Sequence, residues 1–255
     1  MVEKKEHFFL QRLDDLANRT VRTGFPAFTD FMTTKEYMLA KQKAGQIKNA
    51  VVVCWGGHEE CEHMMCGFFP LDFEEEKRES FPIECICIRT KNDKYAGHLC
   101  HRDYLGAILN LGIERSIIGD IRIHEQAAFV FCKKDFASFI VDNFTMVKHT
   151  PVTCHVLSHT DCIPKQQYEE IHQSVASLRL DNVVAAMIGS ARGKAAALIT
   201  QGHVIANHEE HTSVSYSCKK DMVFSIRGYG KYRLDVPTDS FTKKGKQKII
   251  IYKYI

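Results

Sequence analysis

Residues 179–207, RLDNVVAAMIGSARGKAAALITQGHVIAN, constrain the fold of this chain more than any other stretch. They carry two short helical patterns, then a glycine, then a strand. Gly202 stands two residues after AALIT, where a left-handed residue ends a helix and turns the chain. Ser190 is placed to cap the second helix. Arg179, Arg192 and Lys194 fall at or near helix starts, and the helix dipole does not favour cations there. A bound phosphate would compensate, because free helix N–H groups and cations both bind its oxygens. Anion binding is therefore the first expectation.

Charge points the same way. From residue 177 onward there are 13 basic and 6 acidic residues, a balance of +7, whereas the other 21 basic and 25 acidic residues give −4. A basic C-terminal third on a slightly acidic body suits a polyanion-binding module. No apolar run approaches the roughly 20 residues that span a membrane. The charged start MVEKKEHFFLQRLDDL lacks the apolar core of a signal peptide, so a cytoplasmic location is expected. The ten cysteines are then expected to be reduced thiols packed as small hydrophobes.

Read in order, residues 3–19 predict an amphipathic helix broken by GFPAFTDF. Thr33 or Thr34 is placed to cap a second helix that ends at Gly45. AVVVCW and HMMCGFF predict strands around a Gly-Gly turn, and DFEEEKRES reads as a solvated connection. From residue 83 the order is β-α-β-β-α-β: IECICIRT, RDYLGAILNLG, GDIRIH, AAFVFC, a helix over 134–143, then TMVK and VTCHVL. This is the ferredoxin-like arrangement that RNA-recognition domains share. Phe129 and Phe131 are the aromatics on its central strands, placed equally well to meet RNA bases or to pack in the core. QQYEEIHQSVAS predicts a linker helix, and the last module adds strands near HVIAN, SVSYS, MVFSIRG, KYRLDV and QKIIIYKYI. The fold class is α+β. Its expected parts are an N-terminal α/β module (1–78), a ferredoxin-like middle domain (79–160), a linker helix (161–177) and a basic C-terminal α+β domain (178–255).

The pattern R-L-D, then R-x-K-A-x-x-L-I-x-x-G-x-V-x-x-N, resembles the small RNA-binding domain named after ribosomal protein S-four. Asp221, Ile226, Arg227 and Gly228 resemble its closing strand. Ala191 stands where that domain has serine, and His208 where it has glycine. HRDYLGAILNLGIERSIIGDI (101–121) and RGYGKY (227–232) are similar to the YlmH family of bacterial RNA-binding proteins, whose three-part layout matches nearly the whole chain. The resemblance implies ribosome association, and more specifically a large subunit holding tRNA, in ribosome-associated quality control. It also implies a link to cell division.

On this reading the RNA-binding residues are Arg179, Arg192, Lys194, Arg227, Tyr229, Lys231 and Tyr232, with His101, Arg102 and Tyr104 in the middle domain. The cations neutralise phosphates. Tyr229 and Tyr232 stack on bases or pack within strands. Asp103 caps its own helix. The partners expected are ribosomal RNA, tRNA and the large subunit, without DNA, membrane, metal or cofactor, and the chain is expected to be a monomer. HRDYL resembles a kinase catalytic loop, but Ile108 stands where that loop needs asparagine. GSARGK is one residue short of a P-loop, and Ala195 replaces its Ser/Thr. The cluster Cys54, His58, Cys61, His63 and Cys66 lacks the paired spacing of a zinc knuckle. No nucleophile with an oriented base is visible, so a non-catalytic protein is expected. The alternatives are an RNA-modifying enzyme and a cell-division adaptor.

Overall fold

The computed structural model describes residues 2–59, 61–91, 99–158, 163, 167–207, 209–238 and 240–255. His208 and the first part of the expected linker lie outside them. Helix α1 (Val2–Thr23) comes first, then β1 (Ala27–Phe28) and α2 (Thr34–Ala44). Thr33 caps α2. Its hydroxyl accepts from the Glu36 amide at 3.3 Å, and the Glu36 carboxylate accepts from the Thr33 amide at 2.8 Å. This capping box satisfies two otherwise open donors. β2 (Val51–Trp55) and β3 (Met65–Phe69) complete an antiparallel sheet in the order β1-β3-β2.

The central strand β3 sends alternate residues into two interiors. Cys66 and Phe68 pack with Leu13, Ala17 and Ala40 of α1 and α2. Met65 and Phe69 face the other way, toward a second sheet. That sheet is built from β4 (Ile83–Thr90), α3 (His101–Leu109), β5 (Ile118–His124), β6 (Ala127–Lys133), α4 (Lys134–Asn143), β7 (Met146–Val147) and β8 (Thr150–Val156). The β-α-β-β-α-β order is present, with β7 as a short addition, and the strands run β5-β6-β4-β8-β7.

Alternation again divides this second sheet. Ile86, Ile88, Val130 and Cys132 pack with Tyr104 and Ile108 of α3 and Ala137 and Ile140 of α4. Cys85, Cys87, Phe129 and Phe131 meet Met65 and Phe69 instead. Phe129 and Phe131 are only 6% and 0% exposed, so both belong to the core. Gly57 marks how closely the layers approach. Its φ is +94°, and a Cβ there would sit 2.6 Å from the Phe131 ring. The result is four layers, helices on sheet on sheet on helices, in one compact unit of residues 1–164. Its shared interior draws on both sides of residue 78.

The second unit, residues 165–255, begins with a strand where a linker helix was expected: β9 (Tyr168–Val175). Ile171 and Val175 are four apart, a spacing that suits a helix face as well as a strand face. Pairing decides between them, because β9 runs antiparallel to the far C-terminal strand from Tyr168 opposite Tyr254 to Val175 opposite Gln247. Next come α5 (Leu180–Met187), α6 (Arg192–Thr200), β10 (Val204–Ala206), β11 (Glu209–Glu210), β12 (Val223–Ile226), β13 (Gly230–Asp235) and β14 (Gln247–Tyr254). The sheet order is β11-β10-β12-β13-β14-β9. SVSYS is not a strand; it closes a turn (Tyr216 amide to Ser213 carbonyl, 3.2 Å) and makes a single bridge from Ser217 to Arg179.

Candidate nucleic-acid interface

Leu180, Val183, Val184 and Met187 bury one face of α5, and Ala195 and Ile199 bury one face of α6. Both pack on the sheet through Phe224, Ile226, Leu234 and Ile251. The two helices are bent by 111°. Gly189, with φ +59°, lies in the turn between them, and Gly202, with φ +71°, ends α6 as expected.

The two helix starts differ. First-turn amides of α5 are already used: Leu180 donates to the Tyr216 carbonyl at 2.8 Å and Asp181 to Val214 at 3.2 Å. At α6 the cap is Ala191, which has no side-chain acceptor, so Ser190 does not cap the helix. Its amide instead donates to the Ala185 carbonyl at 3.0 Å. The helix itself supplies no partner for the amides of Arg192 and Gly193. Around Gly193 there is open space where a Cβ would stand. This is the start at which an anion can reach backbone donors.

Asp181 fixes the cations beside it. Its side chain is 5% exposed, and it accepts from Arg192 Nε and Nη2 at 3.0 and 2.8 Å. Arg179 donates to it through Nε and Nη2 at 3.3 and 3.1 Å. Burial alone would raise the Asp181 pKa, but the two guanidinium hydrogen bonds outweigh it and hold the carboxyl below its usual range. Each arginine spends its Nε–Nη2 edge on the carboxylate, leaving Nη1 as the group for another anion. Asp181 is the third residue of the R-L-D pattern, but its role as a clamp depends on Arg192, eleven residues away in sequence.

The remaining expected residues divide. Lys194 Nζ lies 5.4 Å from the Tyr229 ring centroid, which joins α6 to the β12–β13 turn. In the same turn Arg227 Nη1 is 3.4 Å from His203 Nε2. Tyr232 is 2% exposed, packs in the core and donates its hydroxyl to the Tyr229 carbonyl at 3.0 Å; its ring is unavailable for stacking. Alternation along β13 puts Lys231 on the opposite side of the sheet, over Tyr254. In the first unit, His101 and Arg102 are exposed in the first turn of α3. Crowding around the His101 ring, then the Arg115 cation, lower its pKa. Tyr104 is 2% exposed and belongs to the core, so it cannot face RNA. Asp103 accepts from the Cys100 amide at 2.9 Å and pairs with Lys148 at 2.8 Å.

The cysteine–histidine cluster does not converge. Cys54 and Cys66 are cross-strand partners, while His63 Nδ1 lies 2.7 Å from Asp120. Among the described residues no three His, Cys, Asp or Glu side chains gather to hold a metal ion. Burial and then the Asp120 charge push the Cys61 thiol up to about 12, the opposite of an activated nucleophile. Among the described residues no single helix is long and apolar enough to cross a membrane.

A family model described as "Putative RNA-binding domain in YlmH" matches residues 77–161. The chain is 28% identical over 222 residues to the ribosome-associated protein quality control protein P2 of Bacillus subtilis (strain 168), covering 87% of this chain and 84% of that protein. It is also similar to the solved structure of cell division protein ylmH from Streptococcus pneumoniae. There the TM-score is 0.51 and the identity 22%, over 63% of this chain and 95% of that one, a likeness of fold alone. The matched domain covers the signature at 101–121, and domain, relative and fold together show that the chain is similar to YlmH proteins.

Proposed function

We propose that this protein is a non-catalytic RNA-binding factor of the cytoplasm. It associates as a monomer with ribosomal RNA or tRNA on the large ribosomal subunit, in ribosome-associated quality control. The C-terminal unit is read as an S-four-type domain and the β4–β8 region as a ferredoxin-like one. The B. subtilis relative's name supports the ribosomal setting. The observation that carries the reading is the start of α6. Arg192 and Arg179 are held by a buried Asp181 beside an uncapped, sterically open helix N-terminus, with Lys194 in the same turn. Positioned cations and free amides grip phosphates without reading sequence, which suits a folded RNA recognised by shape.

Sucrose-gradient fractionation of lysate tests it. Wild-type protein is expected with the large subunit and Arg192→Ala/Lys194→Ala at the top of the gradient. Crosslinked-RNA sequencing then names the RNA. Co-migration that is indifferent to the double substitution would contradict the site, and a new modified nucleoside in the bound RNA would contradict the non-catalytic reading.

A further inference from the structure

Helices α5 and α6 cover one face of the C-terminal sheet. Residues that alternate with the buried ones lie on the other face. Arg233 stands opposite Tyr252, and Tyr254 opposite Tyr168. Here aromatic rings and cations interleave. Lys231 Nζ is 4.5 Å from the Tyr254 ring centroid, and the Arg233 guanidinium carbon is 4.7 Å from Tyr252 and 5.2 Å from Tyr168. Tyr168 meets Tyr254 edge-on at 5.0 Å. All five residues are half-buried, and none of the three tyrosines belongs to the hydrophobic core of this unit. On the β9, β13 and β14 part of this face, Glu170 is engaged by His172 at 2.8 Å and Asp235 by Lys220 at 3.2 Å. Beyond Ile250 the face leads into an open cleft of about 460 Å³ lined by His172, Ser174, Ser240, Thr242 and Lys248.

Three tyrosines outside the core, interleaved with a guanidinium and an ammonium, have the chemistry of a stacking platform. Every nucleic-acid base offers a π-face to aromatic rings and to the plane of an arginine. We propose that this helix-free face is a second RNA-binding surface, which takes unpaired nucleotides. Bases stack on Tyr252, Tyr254, Tyr168 and the Arg233 plane, and Lys231 and Lys248 meet the phosphates. The proposal rests on the reading that the C-terminal unit binds RNA, and it divides the labour: the α6 start grips folded RNA, and this face takes exposed bases.

Fluorescence anisotropy of the full chain with two probes, a short oligouridine and a blunt RNA hairpin whose strands are joined by a non-nucleotide linker, separates the two surfaces. Tyr252→Ser/Tyr254→Ser is expected to weaken oligouridine binding at least about fivefold, the lower end for loss of one stacked base. Hairpin binding stays unchanged, which also reports intact folding. Tyr252→Phe/Tyr254→Phe keeps oligouridine binding, since stacking needs the ring. Unchanged oligouridine affinity in the serine variant overturns the proposal, as does a wild-type chain that binds hairpin but not oligouridine. A wild-type chain that binds neither overturns the RNA reading itself. If the serine variant loses both probes, thiouridine crosslinking of the wild-type chain decides. Crosslinks within residues 248–254 support the surface, and crosslinks confined elsewhere overturn it.

Discussion

The two large sheets of this protein meet water differently. The β5-β6-β4-β8-β7 sheet is closed on both faces, by α3 and α4 on one and by the β1-β3-β2 sheet on the other. In the β11-β10-β12-β13-β14-β9 sheet, α5 and α6 pack on one face while tyrosines and cations alternate on the other. An RNA-recognition sheet exposes the aromatics of its central strands, but here Phe129 and Phe131 are spent on the core. Aromatic residues on a central strand therefore do not identify a nucleic-acid surface by themselves. The chemistry of their neighbours separates the two faces: cysteine, isoleucine and valine beside the phenylalanines, lysine and arginine beside the tyrosines.

Substitutions break or sharpen that contrast. The largest effect belongs to the closed sheet. Phe131→Ala is expected to cost about 3–5 kcal/mol in denaturant unfolding, with unchanged RNA affinity in the protein that remains folded. A stability loss near zero would mean that the face is open after all. Next comes the clamp. Breaking a buried ion pair costs several kcal/mol, but the Arg179 and Arg192 side chains are 40% and 57% exposed, so Asp181→Asn is expected to cost about 1–3 kcal/mol. It also adds one positive charge, yet RNA affinity should fall because the guanidinium groups lose their orientation. A rise would show that bulk charge outweighs positioning.

The smallest effects are in acid. A free aspartate titrates near 3.9, and Asp181 is held lower by its arginines. Its stabilising contribution is thus complete above about pH 4 and lost as pH falls through the folded value. Asp103 is drawn down to about 2 by the Cys100 amide and then by Lys148, so its loss extends from about pH 4 to about pH 2. NMR titration of the two carboxyl groups should show both midpoints below the free value; a midpoint at or above it would contradict the corresponding contact.

Much of this fold was legible in the sequence because its signals are local. The Thr33 cap, the β-α-β-β-α-β order and the Gly202 turn each depend on residues close together in the chain. What escaped depends on distant partners. QQYEEIHQSVAS has no local reason to be a strand until β14 pairs with it. Arg192 and Lys194 were legible as a basic pair, but not the carboxylate that orients one of them, nor which helix start was already satisfied. Tyr104 and Tyr232 looked functional by motif, and their burial follows from packing alone. Lys231 and Tyr232 are adjacent in sequence and fall on opposite faces, a consequence of strand alternation that the period-two pattern KYRLD already contained.

Salt dependence of RNA affinity tests the central claim most directly. Each phosphate contact contributes a slope of about 0.7–0.9 in log affinity against log salt, so Arg192→Ala/Lys194→Ala should lower the slope of the full chain by about 1–2. Parallel lines for wild type and variant would place the phosphates elsewhere and contradict the α6 site.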